Sequence, residues 1–332
     1  MVCPRTDADA FFAPLIANFS LSVEDDLTIS QDDFSVILID GEGLEAGQRV
    51  LELTSPLAIA GISILFITSY YADYILVPFA ARAKVIRALE DRGFVFEADT
   101  NGEDGGHMVN PASPLLQSHH RHQSSTSSTA SSPINGTPPP ASVSDLQIKT
   151  FKMLKRNNIE PHVDKNIELV TCAGTKDTTA SSAGLNFTEG KLQLGLLKCL
   201  TTMPTPRFLS LTLTDTESVS VTMEKQLLRL FHHDGEDLLL GKDGPEQIAI
   251  TLDLATLPQE STGIVCGVAS RLLDGMRGRI SQDVFNMAYL STARAGHVIV
   301  YEDELDDVME ALRGPEPNGF HEVQATTSGS KD

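Results

Sequence analysis

The chain has 332 residues, 41% of them hydrophobic, and its 45 acidic residues outnumber its 25 basic residues, which gives a net charge of −20. This length suits about two compact domains with apolar cores. So acidic a surface repels phosphates, and the basic residues are scattered, so we expect no nucleic-acid binding. The four cysteines form no CxxC pair, which argues against zinc or a disulfide framework and favours a reducing compartment.

The start of the chain has no apolar run behind basic residues, so it predicts no secretion signal. The most apolar segment, residues 56–79, is interrupted by polar residues after about twelve positions, which is too short to cross a bilayer. We therefore predict no membrane span and a cytoplasmic location.

Composition divides the chain into two blocks. Residues 100–145 are rich in Ser, Pro, Gly, His and Asn and hold few large apolar residues, so they cannot bury enough surface to fold. We predict a disordered linker there and a disordered tail over residues 314–332. The two folded blocks are then residues 1–99 and 146–313.

The first block contains one complete set of alternating elements. The βαββαβ order predicts a ferredoxin-like α+β unit over residues 31–99. Pro56 predicts a kink or break in the first helix, and Asp73 is placed in a tight turn. The predicted elements are a strand over 34–40, a helix over 48–60, strands over 62–70 and 74–79, a helix over 81–92 and a strand over 94–98.

The second block repeats this pattern. Residues 67–78 align with 290–301, so that residue 67 falls on residue 290 at an offset of 223. We predict a fourth unit over residues 246–313 and a third over 146–245. The third unit's predicted strand, helix, strand and strand fall at 166–172, 192–200, 208–213 and 218–223.

By the same symmetry a first unit should precede the second. Only residues 1–30 are left for it, enough for a final hairpin strand and a helix. We therefore expect this partial unit to lack its first strand, first helix and second strand.

No segment predicts catalysis or a cofactor. The glycine loop at residues 41–47 resembles a dinucleotide loop, but its spacing is GxGxxxG and its two glutamates would repel phosphate. Three histidines at positions 119, 120 and 122 lie in the predicted linker with no carboxylate to orient them. We predict no catalytic residue, no metal site and no cofactor.

A polar run precedes the helix predicted to begin near Ile264 in the fourth unit. Ser261 or Thr262 is the predicted N-cap, and free amides at a helix start attract a carboxylate or a phosphate. The alternative interpretation is plain capping without a ligand.

Three segments, residues 55–78 (SPLAIAGISILFITSYYADYILVP), 261–273 (STGIVCGVASRLL) and 288–305 (AYLSTARAGHVIVYEDEL), resemble the CASTOR family of cytosolic arginine sensors. The resemblance covers most of both blocks and implies an α+β fold of tandem ferredoxin-like ACT units. It implies a non-enzymatic homodimer that binds an amino acid between the second and fourth units. Occupancy would control docking onto a GATOR-type protein complex upstream of the TOR kinase.

The resemblance also implies where the ligand lies. The family's two acidic residues fall on Ser261 and Gly296, so a guanidinium loses its charged partners, and Glu260 could replace one of them. We predict a small neutral or acidic amino acid, a similar metabolite, or no ligand. The alternatives are a ligand-free scaffold and a regulatory subunit of an amino-acid biosynthetic enzyme. The implied ligand-binding residues are Ile62, Ser63 and Ile64 at a strand start, Asp73 in the turn that follows, Glu260, Ser261, Thr262, Gly263 and Ile264 at the helix start, and Arg294, Gly296 and His297 at a β-turn.

Overall fold

The computed structural model of the protein describes residues 1–19, 28–40, 46–97, 106–109, 142–175, 187–232, 237–258, 260–277 and 285–314. The helices are α1 (Arg5–Asp7), α2 (Ala13–Phe19), α3 (Ala46–Ile59), α4 (Arg82–Glu90), α5 (Val143–Arg156), α6 (Phe187–Thr201), α7 (Ile264–Met276) and α8 (Leu305–Arg313). The strands are β1 (Phe34–Asp40), β2 (Leu65–Thr68), β3 (Ala72–Pro78), β4 (Val95–Glu97), β5 (Gly106–Val109), β6 (His162–Val163), β7 (Leu169–Gly174), β8 (Leu209–Thr212), β9 (Ser220–Glu224), β10 (Leu239–Leu240), β11 (Gln247–Asp253), β12 (Ala288–Ser291) and β13 (Ala295–Tyr301).

The fold is α+β, as predicted, and consists of tandem ferredoxin-like units on one sheet. The sheet runs in the order β4-β5-β1-β3-β2-β12-β13-β11-β7-β9-β8, while β10 pairs with β7 and β6 pairs with β11. The second unit follows the order β1-α3-β2-β3-α4, the third β7-α6-β8-β9, and the fourth β11-α7-β12-β13-α8. In each unit the third strand lies between the first and the second, as a split βαβ arrangement requires.

The second unit closes differently from the prediction. Its expected last strand, β4, does not lie beside β1, because β5 pairs with β1 in parallel and β4 pairs with β5. Strand β5 and the start of α5 fall within the range predicted as a linker, residues 100–145, while its residues 100–105 and 110–141 lie outside the described residues. Composition did not reveal β5 because so short a segment hardly changes the average of a long polar stretch.

Of the two outcomes predicted at Pro56, a kink or a break, the break does not occur, because α3 continues through that residue. A proline at this position cannot donate a hydrogen bond to the carbonyl of Glu52, four residues earlier. Ser55 Oγ donates to that carbonyl instead, at 3.5 Å. The helix is further held by burial of Val50 and Leu57 in the core, and Gly61 ends it with a φ of 65°.

The described residues of the predicted partial first unit, 1–19 and 28–30, hold no strand, and residues 5–19 are helical. They contain α1, a π-helical turn over Ala8–Phe12, and α2. Arg5 Nη2 lies 2.6 Å from Asp33 Oδ1, which ties this segment to the residue before β1. Of the tail predicted over residues 314–332, residues 315–332 lie outside the described residues.

The second and fourth units pair side by side through β2 and β12. Ile67 lies opposite Leu290, and these are equivalent residues at the offset of 223. Phe66 N donates to Ser291 Oγ at 3.0 Å, and Tyr289 N, the equivalent of Phe66, donates to Thr68 Oγ1 at 3.1 Å. The two hydrogen bonds are therefore related by a pseudo-twofold axis that passes between Ile67 and Leu290.

The second and fourth units also share a helix contact and a hydrophobic core. Helix α3 packs against α7, and a single buried cluster contains side chains of both units, including Leu53, Ile75, Leu272 and Val298. The third unit has a separate core around Cys172, Leu196 and Val221.

The two hydroxyl hydrogen bonds of the β2–β12 seam lead to a first prediction. We expect Ser291→Ala to lower the free energy of unfolding by about 1 kcal/mol, because it leaves a backbone amide without its acceptor. Thr68→Val should cost at least as much, because the Thr68 hydroxyl also hydrogen-bonds the buried carboxyl of Asp73. Urea unfolding measures the change. Ser30→Ala is the control: Ser30 Oγ also accepts from an amide, that of Asp32, but in an exposed position where water replaces it. Equal losses for all three variants would contradict a specific role of the seam.

The third unit contacts the turn between β2 and β3. Tyr70 N donates to Ser220 Oγ at 2.8 Å, and the hydroxyl of Tyr74 donates to Glu217 Oε2 at 2.9 Å. Partial burial, chiefly, raises the pKa of Tyr74 to about 12, so the phenol stays protonated and able to donate. The second unit is therefore in contact with both of the other units.

Candidate ligand site

The start of α7 lacks a side-chain cap. Its N-cap is Gly263, which has a φ of 81° and no side chain to accept from the first amides. The predicted N-caps, Ser261 and Thr262, are therefore wrong. The N-cap position has a left-handed backbone conformation, which only glycine adopts without strain. The uncapped first turn of α7 offers backbone N–H groups and the positive end of the helix dipole to an anion.

The segment that precedes β2, residues 62–64, lies against this helix start. Ser63 Oγ donates to the carbonyl of Ser261 at 3.4 Å, although the two residues are 198 positions apart. Ile62 is buried, whereas Ser63, Ile64, Ser261, Thr262, Gly263 and Ile264 are half-buried and Glu260 is exposed. The structure thus brings together eight of the residues that the sequence nominated.

The turn between β12 and β13 lies at the same end of the fourth unit. Leu254 N, in the loop that leads to α7, donates to the carbonyl of Arg294 at 2.7 Å. Thr292 closes the turn, because its Oγ1 accepts from Ala295 N at 2.9 Å. The side chain of Arg294 is exposed, so only its backbone is fixed near the helix start.

Gly296 has its space filled by another residue. It lies in β13 opposite Leu252 and Ser291, and a Cβ atom there would come within 2.3 Å of the Tyr289 hydroxyl. Tyr289 is fully buried, and burial raises its pKa, so its phenol is neutral. Sequence reasoning missed Tyr289. The available signal was the internal repeat, which aligns Tyr289 with the buried Phe66 and so places one additional hydroxyl group in the core of the fourth unit.

His297 lies in β13 and not in the turn. Its neighbour Val298 faces the core, so the imidazole points to the opposite face of the sheet from α7. There its Nδ1 is 3.0 Å from Thr251 Oγ1, and its ring meets Phe208 edge-on with centroids 5.4 Å apart. Burial lowers the pKa of His297 and favours the neutral ring. The structure does not bring this side chain to the helix start.

Asp73 is another correction, because it lies inside β3 and not in a turn. It sits opposite Ile39 and Thr68, at the end of β2 far from Ser63. It is fully buried and paired with Arg49 of α3. Burial raises the pKa of Asp73, and the Arg49 charge opposes that rise. At the offset of 223 Asp73 is equivalent to Gly296, so the second unit has an acid at the position where the fourth unit has a glycine.

Helix α5 covers the start of α7 and was not predicted. Thr150 Oγ1 donates to the carbonyl of Gly263 at 3.1 Å, and a Cβ at Gly263 would lie 2.7 Å from Leu146 Cδ1. The helical spacing of Leu146, Thr150 and Leu154, all buried, was a usable signal. It was obscured because the helix begins inside the polar stretch interpreted as linker.

Within the described ranges, no group of three or more His, Cys, Asp or Glu side chains is placed to hold a metal ion. The histidines at 119, 120 and 122 and residues 41–45 of the glycine loop lie outside these ranges. No helix in the part of the chain that the structure describes combines the length and apolar composition needed to cross a membrane.

The fold and the paired seam define an α+β protein of ferredoxin-like units. Residues 29–91, which include most of the second unit, match the sequence model of the ACT domain. No curated protein sequence matches the chain.

Two solved structures resemble parts of the chain. One is a Vibrio cholerae protein of unknown function, described as a possible transport protein, with 14% identity and a TM-score of 0.29; the match covers 50% of this chain and 94% of that one. The other is the regulatory subunit of aspartate kinase from Thermus flavus, with 10% identity and a TM-score of 0.27, covering 46% of this chain and 94% of that one.

Proposed function

We propose that the chain is a non-enzymatic regulator that binds a small neutral or acidic amino acid, or a similar metabolite, between its second and fourth units. The observation that carries the proposal is the Ser63–Ser261 hydrogen bond, which sets the start of β2 against the uncapped start of α7. The ACT domain match supports it, because ACT domains commonly bind amino acids in regulation.

The chemistry of the site favours a ligand without a cationic side chain. The α-carboxylate would accept from the first-turn amides of α7, and the α-ammonium group would donate to the hydroxyls of Ser63 and Ser261. A guanidinium would need a charged acceptor, but Tyr289 supplies a neutral phenol where the family has an acid. Glu260 is exposed, so its carboxylate is screened by water.

Binding at this site would act through the seam between the units. A ligand that contacts both Ser63 and Ser261 favours the arrangement in which the second and fourth units are closed on each other. By the resemblance, the partner that reads this state is a GATOR-type protein complex upstream of the TOR kinase, in the cytoplasm. Copurification distinguishes this function from the alternative of a regulatory subunit. A sensor should copurify with GATOR components, whereas a regulatory subunit should copurify with a metabolic enzyme.

A thermal-shift panel of the full chain against the twenty amino acids tests ligand binding. A ligand at 100 times its dissociation constant stabilises the folded state by about 2.7 kcal/mol. We expect one neutral or acidic amino acid to raise the melting temperature. A folded sample that responds to none would favour the ligand-free scaffold.

Ser261→Asp tests the location of the site. The new carboxylate would lie two residues before the N-cap of α7, close to the proposed position of the ligand carboxylate, and repel it, so we expect the response to be lost. Stability should be kept or rise by about 0.3–1 kcal/mol, because an acid at a helix start is favourable. Ser261→Asn is the matched neutral control and should keep most of the response. A tighter response with Ser261→Asp would instead indicate a cationic ligand and contradict the proposal.

A further inference from the structure

Helix α5 presents a row of cations to solvent. Lys152, Lys155 and Arg156 are exposed and lie on the side of the helix opposite the side chains that it buries. No acidic residue occurs from residue 146 to residue 159, so these turns carry positive charge alone. We call the three exposed cations the α5 basic face.

The α5 basic face lacks the acidic partners that many other cations of this chain have. Its side chains make no hydrogen bond or ion pair with any residue that the structure describes. The helix dipole favours cations in the last turn, which holds Lys155 and Arg156, but Lys152 lies before that turn. Cations elsewhere on the surface are paired as follows: Arg5 with Asp33, Lys165 with Asp306, Arg207 with Asp164, Lys225 with Glu246, Lys242 with Asp237, and Arg277 with Asp274.

The inner side of α5 holds this face in a fixed position. Phe151 packs against α7, where the guanidinium carbon of Arg271 lies 4.0 Å from the centroid of its ring. Leu146 shares a buried apolar cluster with Cys266 of α7 and Ala58 of α3. Helix α5 therefore rests on both the second and the fourth unit, and the cations on its outer side project from a backbone that packing has already ordered.

Charge complementarity selects an acidic segment of another protein as the occupant. The three cations span about 6 Å along the helix axis, which matches carboxylates placed three or four residues apart on a second helix. A nucleic acid or an anionic membrane is an extended polyanion that would also meet the rest of a chain whose net charge is −20, whereas a short segment meets α5 alone. We propose that the α5 basic face docks a helical segment of a partner protein that carries carboxylates at this spacing. This inference is independent of the ligand proposal.

Fluorescence anisotropy of the full chain with a labelled peptide tests the proposal. The probe is an alanine-based helical peptide with glutamates at three- and four-residue spacing, and the reference peptide has glutamine at each of those positions. We expect the glutamate peptide to bind at least about tenfold more tightly than the glutamine peptide. Raising the salt concentration from about 50 mM to about 200 mM should weaken its binding, because salt screens exposed charges.

Charge reversal on α5 locates the binding surface. Lys152→Glu/Lys155→Glu should weaken binding of the glutamate peptide at least about tenfold, because two attractions become repulsions. Lys152→Gln/Lys155→Gln should have an intermediate effect. The matched control is Arg87→Glu/Arg92→Glu, which changes the net charge by the same amount at two exposed positions of the second unit and should weaken binding less than about threefold. Urea unfolding should show that all these variants remain folded, because the side chains replaced are exposed.

Three results would overturn the proposal. Equal weakening by the two glutamate double variants would show that only the net charge of the chain matters. Failure of the glutamate peptide to bind the wild-type chain would remove the acidic partner. Binding of phosphatidylserine vesicles or single-stranded RNA in place of the peptide, lost in Lys152→Glu/Lys155→Glu, would assign the face to a membrane or to a nucleic acid.

Discussion

Replacing Arg49 by Met is expected to lower the free energy of unfolding by about 3–5 kcal/mol at pH 8. Asp73 is fully buried in β3, and Arg49 is the cation paired with it. Removing the cation leaves a buried carboxylate without its charge partner, which costs far more than the net contribution of the intact pair. Urea unfolding measures the loss.

The deficit of Arg49→Met should shrink on acidification. Burial raises the pKa of Asp73, and without the opposing Arg49 charge the pKa rises further. An acid whose folded pKa lies above its unfolded value, about 3.9, favours the folded state below that value. That contribution is lost as pH rises towards the folded pKa. The variant should therefore come closer to wild type at pH 5 than at pH 8.

Two controls isolate the buried pair. Arg5→Met removes the exposed Arg5–Asp33 pair and should change stability little at either pH. The double variant Arg49→Met/Asp73→Leu removes both charges and should recover most of the stability, because a buried ion pair is often replaceable by apolar side chains. A small, pH-independent loss in Arg49→Met would show that Asp73 is not a buried carboxylate.

Gly263→Ala should cost about 2–4 kcal/mol. Its φ of 81° adds about 1 kcal/mol of backbone strain for a residue with a Cβ. The new methyl group would also lie 2.7 Å from Leu146 Cδ1, so α5 must shift away from α7, at about 1–3 kcal/mol. Thermal or urea unfolding reports the sum.

Gly61→Ala separates the two contributions. Gly61 also has a left-handed φ, 65°, but nothing lies within 4 Å of its Cβ position, so only the backbone cost of about 1 kcal/mol is expected. In a Leu146→Ala background, Gly263→Ala should likewise cost only about 1 kcal/mol, because the clash is gone. Equal costs for Gly61→Ala and Gly263→Ala in the wild-type background would mean that α5 does not press on the start of α7.

Local patterns identified most of the secondary structure. Short apolar segments marked β1 and β11, and helical spacing marked α4 and α8, because these signals depend only on near neighbours in the chain. They missed α5 and β5, since both lie in or next to a polar stretch whose composition outweighed a short pattern. The helix does not break at Pro56 because it is held by burial and by the Ser55 hydroxyl, neither of which local propensity includes.

The candidate site was predicted only in part. The repeat and the resemblance indicated the start of β2 and the start of α7, and the structure places Ser63 against Ser261. They also nominated Asp73 and His297, which the structure places elsewhere. Asp73 lies at the opposite end of β2 from Ser63, and His297 lies on the face of the sheet opposite α7. Sequence positions alone do not determine either placement.

The sequence by itself determined the ferredoxin-like units, the offset of 223 that relates two of them, and the excess of negative charge, because composition and spacing are properties of the chain alone. Only the tertiary structure decided that Ile67 and Leu290 meet on the axis, that Arg49 neutralises Asp73, and that Tyr289 fills the space beside Gly296. These contacts join residues far apart in the chain, so they depend on how the units pack and on which side chains that packing excludes from water.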